Sequence, residues 1–253
     1  MDYNNFEDGY AETGIGRVHY KFHRTQENER SIIFIPGLGG TTRVWTKLLQ
    51  HLDNDMDVYL IDLFGHGRSD APAIRYTIAE QTQAISGVVK SAGLRRYSLF
   101  GHSYGGWVAA YFEAMSNNAE ALVLEDSAGL KEYIYDIKNS GMANEHRNMV
   151  LDFVKRSEGD LTAMNRIMDN DYNDAEILTS SVLARIGRPT LVLWGDRDAI
   201  IDPKYAVALS KHIRNSTLRI IPDSGHNPHY ERPEPVAEAL RVFVGSQRRM
   251  KNS

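Results

Sequence analysis

Seven short apolar runs punctuate the chain: VHYKF (18–22), SIIFI (31–35), DVYLI (57–61), YSLF (97–100), ALVLE (121–125), TLVLW (190–194) and TLRII (217–221). Most are rich in β-branched residues and lack strict alternation, the pattern of strands covered on both faces. VHYKF alternates apolar with polar, which predicts an edge hairpin strand near the N-terminus. Between the runs, apolar residues recur at helical spacing. Val44, Leu48, Leu49 and Leu52 share one stripe over 42–53; Ile78, Ile85, Val88 and Val89 share another over 77–91. WVAAYFEAM (107–115) is a strong helix former. PEPVAEALRVFV (233–244) opens on prolines suited to a first helical turn and carries Val236, Leu240 and Val244 on one face. Such alternation predicts an α/β fold, a mostly parallel sheet with helices on both faces.

One region breaks the rhythm. From about Ala128 to Arg188 only helical pieces are evident, RNMVLDFVKRS (147–157) and DLTAMNRIMDND (160–171) among them. The pattern predicts a helical cap over 128–188, inserted into a core domain of 1–127 and 189–253. Met142, Met149, Met164 and Met168 fall in this cap, with Tyr133, Tyr135 and Phe153. Thioethers adapt their shape, so the methionines suit a pocket roof or the gaps between cap helices. The cap charges Arg147, Lys155, Arg156 and Arg166 read as a wet outer face, or one of them grips a substrate carboxylate.

Composition narrows the class. The 253 residues are 42% hydrophobic and 25% charged, with a net charge of −4. That balance is globular and offers no electrostatic reason to expect nucleic acid or an anionic membrane as partner. No cysteine is present, which excludes disulfides, thiolate metal sites and a cysteine nucleophile. The opening MDYNNFEDGYAETG is polar and acidic, unlike a secretory signal, and no run is long enough to span a bilayer. A soluble, cytoplasmic protein is expected.

The chemistry concentrates at GHSYGG (101–106), directly after YSLF and before a helix former. G-x-S-x-G in this setting forces a sharp strand-to-helix turn that strains the serine backbone and exposes its hydroxyl at the C-terminal edge of the sheet. Gly101 and Gly105 remove side chains that would collide across the turn, and Gly106 admits a close neighbour. Ser103 is therefore a candidate nucleophile, and the amide of Tyr104 just after it a candidate oxyanion donor. A serine hydroxyl needs a base, and the base needs a third group to orient it. WGDRDAIIDP (194–203) and PDSGHNPHYERPE (222–234) each follow a predicted strand, giving the chain order Ser, Asp, His.

With PGLGG (36–40), DLFGHGRSD (62–70), GHSYGG and the WGDRD…SGH pair, nearly the whole chain resembles the α/β-hydrolase superfamily, in particular its capped esterases, C–C hydrolases and proline-iminopeptidase-like members. The resemblance implies an eight-stranded, mostly parallel sheet. It implies His226 as the base, with His66, His102 and His229 as loop, hydrogen-bonding or packing residues. It implies Asp198 as the acid, with Asp196 stabilising its turn; Asp126 stays open as an alternative acid, because some members draw it from the earlier strand. PGLGG resembles the family's histidine–glycine loop, which makes the Leu38 amide the second oxyanion donor. Pro36 stands where that histidine is usual, so the loop is expected to be reshaped around an intact main-chain donor.

The implied activity is hydrolysis of small, mostly apolar carboxylic esters through an acyl-enzyme, without metal or organic cofactor. The expected partner is a small-molecule ester, with neither nucleic acid nor membrane; the oligomeric state is not readable. C–C bond cleavage would require a cap arginine facing Ser103, and release of N-terminal proline would require cap glutamates such as Glu145 or Glu158. Tyr104 stands where the proline-releasing members usually carry tryptophan. A perhydrolase side activity would use the same residues, and a small-molecule receptor on this fold would bind its ligand with negligible turnover.

Overall fold

The computed structural model describes residues 1–25, 30–54, 56–140, 143–156, 160–170 and 176–251; the side chains of 143, 146, 156, 170 and 245–251 lie outside that description. Eight strands form one sheet: β1 (Glu7–Glu12), β2 (Arg17–His23), β3 (Ser31–Ile35), β4 (Asp57–Ile61), β5 (Tyr97–His102), β6 (Leu122–Glu125), β7 (Thr190–Gly195) and β8 (Ser216–Ile221). Their order is β1-β2-β4-β3-β5-β6-β7-β8. β1 and β2 pair antiparallel, β2 joins β4 antiparallel, and β3 to β8 run parallel. The α/β-hydrolase fold implied by the motifs is the fold observed.

The continuous apolar runs become legible once the sheet is seen edge-on. Ile33, Ile35, Leu99, Leu124, Val192 and Trp194 point to one layer. Their alternating neighbours Ile32, Phe34, Phe100, Val123, Leu191 and Leu193 point to the other. With a period of two, an unbroken apolar strand fills both layers. Each such side chain contributes about 1.5–3 kcal/mol by leaving water.

Ten α-helices accompany the sheet among the described residues: α1 (Thr46–Leu49), α2 (Ile78–Ser91), α3 (Tyr104–Ser116), α4 (Lys131–Ser140), α5 (Ala143–Arg156), α6 (Leu161–Asn170), α7 (Ser180–Leu183), α8 (Lys204–His212), α9 (Pro228–Glu231) and α10 (Pro233–Lys251). The helix expected over 42–53 is shorter than its stripe suggests. A 3₁₀ turn over Thr42–Trp45, started by the Thr41 hydroxyl, runs into α1. Leu48, Leu49 and Leu52 are still buried, and Trp45 joins them. α2 begins at a reciprocal cap, the Thr77 hydroxyl accepting from the Glu80 amide and the Glu80 carboxylate from the Thr77 amide.

VHYKF is not the outermost strand. β1 covers it, exposed along most of its length, with Ala11 alone fully buried. A strand with one core-facing residue leaves little hydrophobic trace in the sequence.

Where described, segment 128–188 carries helices and short connections, with an isolated Leu130–Leu178 bridge and no strand. It rests on the core through small residues. A Cβ on Gly39 would meet Val154 Cγ2 at 2.7 Å, and one on Gly65 would meet the Ala163 Cβ at 2.7 Å, so α5 and α6 ride directly on the PGLGG and DLFGHGRSD loops. The return chain is tied down as well: the Trp107 indole donates to the Glu176 carbonyl at 2.8 Å, while the Glu176 carboxylate accepts from the first amides of α2. No helix among the described residues is long and apolar enough to cross a membrane.

Candidate active site

β5 ends at His102, and α3 begins at Tyr104, leaving Ser103 alone in the turn with φ 51° and ψ −117°. This region disfavours any residue with a Cβ and stores about 1–3 kcal/mol that the surrounding fold must hold. Backbone crowding explains the flanking glycines. A Cβ on Gly101 would lie 2.4 Å from the Gly105 carbonyl oxygen, and one on Gly105 would lie 2.3 Å from that of Ile35. The turn closes only if both are absent.

Two distant loops meet above this turn. His226 Nε2 lies 2.9 Å from Ser103 Oγ, and its Nδ1 lies 2.8 Å from Asp198 Oδ2. The other Asp198 oxygen accepts from the amides of Ile200 at 2.8 Å and Ile201 at 3.0 Å. Burial opposes ionisation of Asp198, but the His226 hydrogen bond and the two amides outweigh it and hold the carboxyl below its ordinary value. Asp196 is occupied elsewhere, accepting from the Ser224 amide at 3.1 Å and pinning the β7 and β8 loops together.

Leu38 and Tyr104 line the same cavity as Ser103 and His226. Tyr104 is the first residue of α3, so its amide has no acceptor within the helix. The PGLGG loop presses on the serine: a Cβ on Gly37 would stand 2.8 Å from His102 Nδ1 and 3.2 Å from Ser103 Cβ. Pro36 does not displace this loop from the site.

The remaining histidines brace the loops. His102 Nε2 donates to the main-chain carbonyl of His226 at 2.7 Å, and His229 Nδ1 shares a hydrogen bond with Glu125 Oε2. Burial, reinforced by neighbouring histidines, pushes both His102 and His229 down to about 3, so they are neutral at physiological pH. His66 is buried, with Nδ1 donating to the Phe64 carbonyl at 3.0 Å. Asp126 does not reach His226; its Oδ1 accepts from the Gly195 amide at 3.0 Å.

Among the buried acids that escaped the sequence reading, two brace the loops around the site. Glu125 closes an apolar strand, and a carboxylate at the end of such a run is the signal that could have exposed it. Asp62, in DLFGHGRSD, accepts from the amides of Thr42 at 2.8 Å and Arg68 at 3.0 Å, and bonds His19 Nδ1 at 2.7 Å. It thereby joins β2, the turn after PGLGG and the glycine-rich loop.

The cavity over Ser103 measures about 320 Å³. Leu38, Trp107, Ile134, Met149, Phe153 and Ile201 make much of its wall, and no Asp, Glu, Lys or Arg lines it among the described residues. Of the charges of segment 128–188, Arg147 and Lys155 are engaged elsewhere. Arg147 donates to Asp169 and Asn165, each at 2.7 Å, and Lys155 sits 3.7 Å from Asp152 on the surface. Arg166 and Glu145 are not among the lining residues. Met149 faces the cavity, whereas Met164 and Met168 are buried between elements. Met142, Glu158 and the Arg156 side chain lie outside the described residues.

The sequence matches the alpha/beta hydrolase family over residues 32–239. The chain belongs to that family. Among curated relatives it is 23% identical over 278 residues to a monoacylglycerol lipase, abhd6-A, of Xenopus laevis, covering 92% of this chain and 82% of that protein. It is 26% identical over 242 residues to Lipase 1 of Psychrobacter immobilis, covering 84% and 76%. The enol-lactonase of Burkholderia xenovorans LB400 superposes with a TM-score of 0.76 at 20% identity, covering 94% of this chain and 100% of that one. At that identity the likeness speaks for the fold; the family match and the curated relatives make the chain an alpha/beta hydrolase with lipases among its homologues.

Proposed function

We propose that this family member is a serine hydrolase acting on small, uncharged, mostly apolar carboxylic esters. The observation that carries the reading is the unbroken chain of contacts Ser103 Oγ, His226 Nε2, His226 Nδ1, Asp198 Oδ2. In this reading His226 accepts the Ser103 proton as Oγ attacks the ester carbonyl, and Asp198 holds the imidazole in the required orientation. The amides of Leu38 and Tyr104 receive the negative charge that develops on the carbonyl oxygen, each contributing about 3–4 kcal/mol. His226 then gives its proton to the leaving alcohol, and later takes one from the water that releases the acid.

The uncharged wall supports the substrate class. A carboxylate or ammonium group in the cavity would lose its hydration with no countercharge among the described lining residues to replace it. C–C cleavage of a keto acid and release of N-terminal proline both need such a countercharge, so the ester reading is favoured over them. Segment 128–188 serves, in this proposal, as a cap that supplies the apolar roof through Ile134, Met149 and Phe153.

Labelling with a fluorophosphonate followed by peptide mapping tests the nucleophile. Modification of Ser103, with p-nitrophenyl butyrate turned over by the native chain but not by S103A, is expected. Labelling elsewhere, or butyrate turnover unaffected by S103A, overturns the assignment. A receptor would show stabilisation by ligand with negligible turnover.

A further inference from the structure

Asp126 is not explained by the proton path just described. It is fully buried at the end of β6, with φ 44°, a left-handed conformation unusual for a residue with a side chain. That twist carries its carboxyl toward the end of β7. Its Oδ1 is occupied by the Gly195 amide, while Oδ2 is buried with no donor aimed at it. Asp198 lies against it, and oxygen or nitrogen atoms of Asp126, Asp198 and His226 all fall within 4.8 Å of one another.

Two carboxyl groups in one dry site cannot both be ionised without a cation between them. The charged groups acting most strongly on Asp126 are Glu125 on its own strand and Asp198 on the β7 loop, both acidic; His226 approaches from the β8 loop. Asp198 is the partner that keeps its charge, because it has two amides and an imidazole around it. Asp126 has a single amide. Burial first, then the two neighbouring carboxyls, push it well above its ordinary value. A proton on Oδ2 turns two opposed acceptors into a donor and an acceptor.

We propose that Asp126 is a positioning residue which, as a neutral carboxylic acid, donates a hydrogen bond to Asp198. Asp198 then receives four donors, and its carboxyl plane is fixed toward His226. The neutral form also spares His226 a second negative charge. The role assigned to Asp198 rests on the serine hydrolase reading; the charge state of Asp126 does not.

The charge state is read by ¹³C NMR of the wild-type protein labelled at its aspartate carboxyl carbons. One aspartate is expected to remain protonated at pH 7, and its signal to vanish in D126N. If every aspartate is ionised at pH 7, or the neutral signal survives in D126N, the proposal fails, whether or not Ser103 is a nucleophile.

The positioning role is read from turnover of p-nitrophenyl butyrate. D126N keeps a donor toward Asp198 and is expected to hold kcat within about threefold. D126L removes the donor and is expected to lower kcat roughly tenfold to a hundredfold with little change in KM. The acid limb of kcat/KM should stay in place in D126N. An ionised Asp126 would raise the basicity of His226, so its loss would move that limb to lower pH and overturn the proposal. So would a D126L enzyme with wild-type kcat, or a D126N enzyme as impaired as D126L. Should D126L fail to fold, the wild-type carboxyl spectrum and the D126N pH profile decide.

Discussion

The imidazole of His102 donates from Nε2 to the backbone carbonyl of His226 across 2.7 Å, so the residue before the candidate nucleophile holds the loop that carries the candidate base. Serine and histidine are thus registered twice, once through their side chains and once through this brace. The same His102 ring lies under Gly37, which ties the PGLGG loop into the arrangement.

Removing the brace should misplace His226 without removing it. H102A is expected to lower kcat roughly tenfold or more with little change in KM, since misplacement of an angstrom is enough for such losses. H102Q, which keeps a donor near the same place, should recover part of the deficit. Steady-state kinetics of the two variants on p-nitrophenyl butyrate checks this, and equal activity of H102A and the native chain would refute it.

Asp198 is the acid nearest the histidine, so its replacement should be felt chiefly in kcat. D198N is expected to lower kcat by about four orders of magnitude, the scale found when the orienting acid of such a relay becomes an amide. D126N, by comparison, should be mild. A reversal of that order in kinetic assays would give the orienting role to Asp126.

Acid should destabilise the fold through the braces. Burial penalises the charged forms of His102 and His229 and pushes both from an ordinary 6.5 down to about 3 in the folded chain. The unfolded chain takes up these protons first. Stability from His102 is therefore complete above about pH 6.5 and is lost as pH falls toward 3; at His229 the neighbouring Glu125, raised by burial, takes up a proton over the same range and offsets the loss. Urea denaturation of H102Q should show a shallower loss between neutral pH and pH 5 than the native chain does.

Gly39 adopts φ 74° beneath α5, so a methyl group there is opposed both by its own backbone and by Val154. G39A is expected to destabilise by about 1–2 kcal/mol from the backbone alone, and by more from the clash. In a V154A background the second part should shrink and the first persist. A double-mutant cycle by urea denaturation separates them.

Much of the fold was legible because a strand buried on both faces must be apolar at every position. SIIFI, DVYLI and TLVLW announced themselves for that reason. β1 did not, because EDGYAE sends only Ala11 fully inward. The site was legible in part. Ser103 lies in a turn whose glycines are dictated by backbone crowding, and His226 and Asp198 follow strand ends in the expected order. The choice between Asp126 and Asp198 was beyond sequence logic, since both follow a strand and only the packed loops decide which reaches the imidazole. Glu125 and Asp62 were overlooked because a single buried acid at the edge of an apolar run looks like the first residue of a solvated loop.

Asp62 changes how the margin of the sheet should be regarded. The N-terminal hairpin reaches that carboxylate through His19, whose other ring nitrogen is held by Asp8 of β1 at 2.7 Å. What looks like trim along an outer edge is wired to the turn that follows PGLGG, a loop lining the cavity over Ser103. A change at the outermost strand therefore has a hydrogen-bonded route to the cavity wall, through two side chains and one carboxylate.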